Sequence, residues 1–317
     1  MSAGKPLLGV RAGWQLFARG PDDLLRIEFA QGRIIWTYVP FLKTASPAVV
    51  FLVGPHEAVI RPVVFLPGYV VPDGGQARRL TGPLAGRGAP IPGLPGTQTA
   101  WITTGSRTSP SLSLVTLSGH RSGPRIRFRP GGQQELSTAA SDGRGGVLVT
   151  NGFNGAYDAG PSWDRPVPGW VIAVGPASWL TQTCNWRYSR CRYEVIDNSD
   201  GARRLLPGVF SSPSYIGWPP NGVIAPDGST AAVPLTGPDG TTTVHLISLR
   251  TGVNRDLPVQ TFVAGSGGVQ ESMAWSPDSR WLFVATLTGE LVAINARSHH
   301  VWPLAIAAVI DQVAIRS

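Results

Sequence analysis

Lysine is almost missing from this chain. Lys5 and Lys43 are the only two among 317 residues, although Lys and Arg together number 27 and the net charge is +8. The positive charge therefore sits on arginines scattered over the sequence, which speaks against a basic tail or arm. Long apolar runs are missing too, and none reaches the roughly 18 residues of a membrane-spanning helix. No amphipathic pattern persists beyond about three helical turns. Charged residues make up only 15%, too few for a disordered chain. The sequence has no G-x-S-x-G elbow, no H-E-x-x-H and no P-loop. The first absence counts against an appended serine hydrolase of the prolyl-oligopeptidase type.

What the chain has in quantity is turn residues, with 39 Gly and 29 Pro. They divide short alternating runs. From Met273 to Leu304 the sequence reads MAWSPDSRWLFVATLTGELVAINARSHHVWPL. This predicts four strands, separated by Pro277-Asp278-Ser279, by Thr288-Gly289 and by a polar link. A lone sheet of this size has two open edges and one small apolar face, so it needs copies of itself. Val223–Gly252 supplies one, with Ala225-Pro226-Asp227-Gly228 against Ser276-Pro277-Asp278-Ser279 and Leu235-Thr236-Gly237 against Leu287-Thr288-Gly289. A second pair of copies runs from Val53-Gly54-Pro55 to Ala77-Arg78-Arg79-Leu80, and from Val174-Gly175-Pro176 to Ala202-Arg203-Arg204-Leu205. A four-stranded unit of roughly 40 residues is the size of a propeller blade.

The expected fold is all-β, one domain over residues 1–317, a seven-bladed β-propeller of four-stranded antiparallel blades. The blades are expected near 10–40 plus 310–316, 47–82, 96–131, 137–168, 169–208, 221–259 and 271–305, with Gly82–Gly96 read as a link. The N-terminal meander is one strand short. Asp311–Arg316 follows the last complete unit and is expected to supply the missing inner strand, closing the ring. Trp275-Ser276-Pro277-Asp278-Ser279-Arg280-Trp281-Leu282 and Ala225-Pro226-Asp227-Gly228 resemble the W-S-P-D-G-x-x-L signature of TolB-like and WD40-like β-propellers, with Ser279 in place of the glycine in one copy. The resemblance implies the fold and a binding or assembly role, and implies no catalytic residues.

Cys184 and Cys191 flank a hairpin tip, CNWRYSRC. Adjacent strands would bring them within bridging range, so a local disulfide is expected, the alternative being two free thiols. No His or further Cys flanks them at zinc-ligand spacing. The opening MSAGKPLLGV has no signal-peptide core. A disulfide outweighs that observation, and the expected location is extracytoplasmic or secreted, the alternative being cytoplasmic.

Six aspartates fall in turns: Asp73, Asp142, Asp200, Asp227, Asp239 and Asp278. Asp158, Asp164, Glu271 and Asp311 remain as acids that could face a central channel. His299 and His300 are neighbours in a loop and cannot chelate one ion from a regular strand. Arg125, Arg127 and Arg129 alternate, as on an outer strand that resists edge pairing. Trp14, Trp101, Trp275 and Trp281 read as packing anchors between blades. Tyr157, Trp163, Trp186, Tyr188, Tyr215 and Trp218 fall in loops or at strand ends, where aromatic residues mark recognition sites. The expected binding set is Trp163, Trp186, Arg187, Tyr188, Arg190, Tyr215 and Trp218, gathered at one end of the ring. No catalytic residue, metal or cofactor is expected. The expected function is a monomeric, non-catalytic binding propeller for a protein, peptide or glycan. The alternatives are a hydrolase or lyase with acids at the channel mouth, and a binder of anionic polymers through surface arginines, nucleic acid being disfavoured.

Overall fold

The computed structural model describes residues 5–40, 49–62, 67–85, 90–93, 99–106, 109–127, 139–150, 156–185, 191–207, 222–237, 239–261 and 272–317. Apart from three short 3-10 turns, the regular structure among them is β-strand. The strands make five separate four-stranded sheets and one eight-stranded sheet, arranged as a propeller.

Each sheet is built mostly from consecutive strands. One holds Val49–Val53, Glu57–Pro62, Tyr69–Pro72 and Arg78–Arg79, and the last holds Met273–Trp275, Trp281–Ala285, Leu291–Asn295 and Val301–Pro303. Another holds Ala139–Ser141, Val147–Thr150, Ala156–Ala159 and Asp164–Val167. The eight-stranded sheet joins two such meanders. Trp170–Val174, Ser178–Cys184, Cys191–Asp197 and Arg203–Leu205 meet Gly222–Ile224, Thr230–Thr236, Thr242–Ser248 and Asn254–Gln260. The join is a parallel pairing of the two first strands, Ala173 with Gly222 and Val174 with Val223. Glycine at 222 permits it, because a Cβ there would lie 2.5 Å from the Ile172 carbonyl oxygen.

The third sheet departs from the reading of the sequence. Its strands Thr99–Ser106, Ser109–Thr116 and Arg121–Arg127 fall as expected, but its first strand is Ile91–Pro92, inside the stretch read as a link. Two residues, one of them proline, carry no alternating pattern. Arg125 is exposed on the outer strand; Arg129 lies outside the described residues.

The first sheet mixes the two ends of the chain. Gln15–Arg19, Asp23–Glu28 and Arg33–Tyr38 are joined by Gln312–Arg316. The last strand pairs antiparallel with Gln15–Arg19, Gln15 opposite Arg316 and Arg19 opposite Gln312. The approach is tight. A Cβ on Gly20 would sit 2.4 Å from the Val309 carbonyl oxygen, the Ile310 N–H donates to Gly289 and the Asp311 N–H donates to Arg19. Arg19, 1% exposed, donates from Nη2 to Asp311 Oδ2 at 2.9 Å. Burial pulls the Arg19 guanidinium down from its ordinary range, and Asp311 opposes that pull.

The core lies between sheet faces. Trp14 and Phe29 of the first sheet's unit meet Phe283 of the last, with ring centroids 5.8 and 5.1 Å away. Tryptophan N–H groups also cross between neighbouring sheets: Trp101 to the Gly145 carbonyl, Trp179 to that of Asp142 and Trp275 to that of Val223. The signature turn works as its chemistry demands. Asp278 accepts from the Ser276 hydroxyl and the Arg280 N–H, and Ser276 Oγ accepts from the Trp281 N–H. Ser279 takes the left-handed conformation, φ 58°, that Gly228 takes at φ 70° in the sister unit.

Asp311→Ala leaves the Arg19 charge buried without its partner, and breaking such a pair costs about 3 kcal/mol. Urea denaturation of the variant checks this. Deleting residues 310–317 is expected to lower the melting temperature far more, and a truncated protein that melts like the full chain would contradict the role of the last strand.

Candidate functional site

The hairpin Ser178–Cys184/Cys191–Asp197 is the longest antiparallel pair of its sheet unit, running in register from Ser178 opposite Asp197 to Cys184 opposite Cys191. At the far end the two cysteines are bonded. The sequence expectation of a local disulfide is met. Of the expected binding set, Trp186, Arg187, Tyr188, Arg190, Tyr215 and Trp218 lie outside the described residues. Trp163 is described, and it is not beside the hairpin tip. It sits in the turn from Ala156–Ala159 to Asp164–Val167, a connection between third and fourth strands. Its neighbourhood reaches the base of the cysteine hairpin, at Asn198. Six residue steps separate Ser178 from Cys184, roughly 20 Å of strand, so Trp163 and the tip belong to opposite ends.

What Trp163 does is pack. Its ring covers Gly160 and Gly146, where a Cβ would fall 2.0 and 2.7 Å from ring atoms. The Arg144 guanidinium lies over the ring, 4.2 Å from its centroid. Beneath it is a buried polar cluster. Asp142 and Asp158 are both fully buried. Asp142 Oδ1 accepts from the backbone N–H groups of Arg144 and Gly146, each at 2.8 Å, which makes the turn. Asp158 Oδ2 accepts from Arg165 Nε at 3.0 Å. Arg144 and Arg165 both donate to the Asn198 carbonyl of the next sheet unit. Asp142 Oδ2 and Asp158 Oδ1 have no hydrogen-bond partner, and the Trp163 N–H is turned on Asp158 without closing a full bond. Burial pushes the Asp158 carboxyl up to about 6; the Asp142 charge adds to the rise, while Trp163 and Arg165 oppose it. Both carboxyls are fully buried, so the cluster is closed to a substrate.

The remaining candidates are spread out. Asp311 serves the Arg19 contact. Asp164 is exposed on an outer strand, and Glu271 lies outside the described residues. Tyr157, expected at a loop or strand end, is inside strand Ala156–Ala159 and packs half-buried on the core. His299 accepts from Arg255 Nη1 at 3.0 Å, and the ring of His300 stands against Trp302. Trp14, Trp101, Trp275 and Trp281 are buried. Trp179, fully buried and bonded to the Asp142 carbonyl, was not singled out by the sequence. Among the described residues no group of three His, Cys, Asp or Glu side chains is placed to hold a metal, and no helix is long and apolar enough to cross a membrane.

No protein-family model matches the sequence, and no curated protein does. Solved structures do match in fold. A prolyl endopeptidase superposes with a TM-score of 0.58 at 13% identity, over 99% of this chain and 50% of its own. The periplasmic gluconolactonase PpgL of Pseudomonas aeruginosa gives 0.52 at 13% identity, over 96% of this chain and 99% of its own. TolB of Acinetobacter baumannii gives 0.48 at 14% identity, over 95% and 66%, too loose to bear an inference. At these identities the likeness establishes a β-propeller fold and nothing more.

A carboxyl whose pKa is higher folded than unfolded stabilises the fold while it stays protonated, and that contribution is lost as pH rises through the folded value. Asp158→Asn removes the titration. The stability of wild type relative to this variant is therefore expected to fall between about pH 4 and pH 7, by on the order of 2 kcal/mol. Denaturation of both proteins across that range checks it; a difference that does not change with pH would contradict the assignment.

Proposed function

We propose that the protein is a binding propeller, closed as a seven-bladed ring within one domain and working outside the cytoplasm. The blade count takes the eight-stranded sheet as two blades in contact through their first strands. The ring closure takes the pairing of Gln312–Arg316 with Gln15–Arg19 as the seam. The disulfide supports an oxidising compartment.

The observation that carries the binding reading is the stapled hairpin. Its loop is short, so the cross-link adds only about 2 kcal/mol of stability on entropic grounds. Its larger effect is to limit the conformations open to the residues between the cysteines, which here include Trp186, Arg187, Tyr188 and Arg190. Aromatic and arginine side chains held in few conformations lose little entropy on binding. In a propeller, loops between second and third strands emerge at the same end as links to the next blade. Tyr215 and Trp218 fall in sequence between the strands Arg203–Leu205 and Gly222–Ile224, the position of such a link. We assign these six residues, without Trp163, to the recognition surface for a protein, peptide or glycan.

The hydrolase or lyase reading is favoured by the enzyme names among the fold neighbours. It is weakened by Asp158 and Asp311, whose carboxyls are engaged with Arg165 and Arg19. The anionic-polymer reading is weakened in the same way, since Arg26, Arg203 and Arg316 are all in ion pairs.

Trp186→Ala with Tyr188→Ala is expected to leave melting unchanged and to remove the ligands that wild type retains on peptide and glycan arrays. Identical array profiles for the two proteins would sink the assignment. Alkylation followed by mass measurement is expected to label neither cysteine until reductant is added. Two thiols labelled in protein made under oxidising conditions would remove the case for export.

A further inference from the structure

Seven described strands end a sheet on its outer side, and six of them are blunted. Arg121–Arg127, Asp164–Val167, Asn254–Gln260 and Val301–Pro303 each contain a proline, at 124, 166, 258 and 303. Arg78–Arg79 and Arg203–Leu205 are only two and three residues long and carry paired arginines. Proline, charge and shortness are the usual guards of a free edge. Arg33–Tyr38 has none of them. It is six residues long, RIIWTY, with its only charge at the first position. Trp36 is 47% exposed and Tyr38 is 65% exposed. Among the described residues no strand pairs with its outer side.

The charges at its two ends are opposite. At one end the Arg33 side chain is 56% exposed, although it also reaches Glu28. At the other end Tyr38 lies opposite Asp23, next to Asp22. Asp22 Oδ1 is buried without a hydrogen-bond partner. Burial and the Asp22 charge both push the Asp23 carboxyl up, with no cation offsetting them. An edge with a cation at one end and unneutralised acids at the other is complementary to itself when turned antiparallel, the condition for a two-fold interface.

We propose that Arg33–Tyr38 pairs antiparallel with the same strand of a second copy of this chain, making a continuous sheet across a two-fold dimer. In a two-fold antiparallel pair the opposed residues must belong to the same face, which the register centred on Trp36 satisfies. It sets Trp36 against Trp36 and Ile35 against Thr37 of the other copy. It also carries each Arg33 toward Val39 of the other copy, whose N–H donates to the Asp22 carbonyl. The net charge of +8 opposes self-association, but charges beyond about 8 Å are largely screened at physiological salt, whereas the strand ends are in contact. Two six-residue edges bury little, so the dimer belongs to the weak class under about 1,200 Å2. This departs from the monomer expected of the sequence.

Sedimentation equilibrium from about 1 to 300 µM at pH 7.5 tests the pairing. Wild type is expected to move from the 33.6 kDa monomer toward twice that mass as concentration rises. Trp36→Lys, with its melting checked at low concentration, is expected to stay monomeric throughout; Tyr38→Lys replaces it if the first variant fails to fold. A wild type that is monomeric at 300 µM overturns the proposal and leaves the edge to a different partner. A dimer that neither lysine variant weakens overturns it as well.

Discussion

An antiparallel sheet satisfies its backbone internally except along two edges, and those edges govern how this molecule is built. Each four-stranded unit is too small to stand alone. In every described unit but the first, the outer edge carries a proline, an arginine pair or too few residues to recruit another strand. The same constraint explains why the chain ends meet. Gln15–Arg19 would be an open inner edge if the strand from residues 312–316 were not laid along it, and Arg19 would be a buried charge without Asp311.

The packing between units follows from that arrangement. Faces rather than edges carry the apolar contacts, and tryptophan is used where a large ring must also satisfy an N–H. Trp101 and Trp179 approach the same turn of residues 142–145 from opposite sides, each donating to one of its carbonyls. That turn also holds Asp142, while Asp158 lies a strand away with Arg165 and Trp163 over it. The cluster is thus a joint between blades, and its acids answer to burial rather than to a substrate.

Much of this was legible in the sequence because turn chemistry is local. Pro-Asp-Gly and Thr-Gly pairs fix where strands end, and the missing first strand could be matched to the surplus one at the C-terminus. The disulfide was legible for the same reason, since seven residues of separation leave few geometries. Other features depend on contacts no local pattern encodes. Ile91–Pro92 is a strand only because Thr99–Ser106 lies beside it. Trp163 looks like a loop aromatic until Gly146 and Gly160 are seen to make room for it. Trp179 is spaced like any strand residue, and only the neighbouring turn reveals its bond.

The central claim is that the terminal strand is a structural seam and not a loosely attached tail. Hydrogen–deuterium exchange of the native protein, followed by peptide mass, addresses it directly. Amides that open only with global unfolding report the most stable part of a fold, whereas frayed termini exchange at close to the free rate. Residues 312–316 and 15–19 are expected to show protection comparable to the buried strand Trp281–Ala285. Exchange of residues 312–316 within seconds, with Trp281–Ala285 still protected, would contradict the seam.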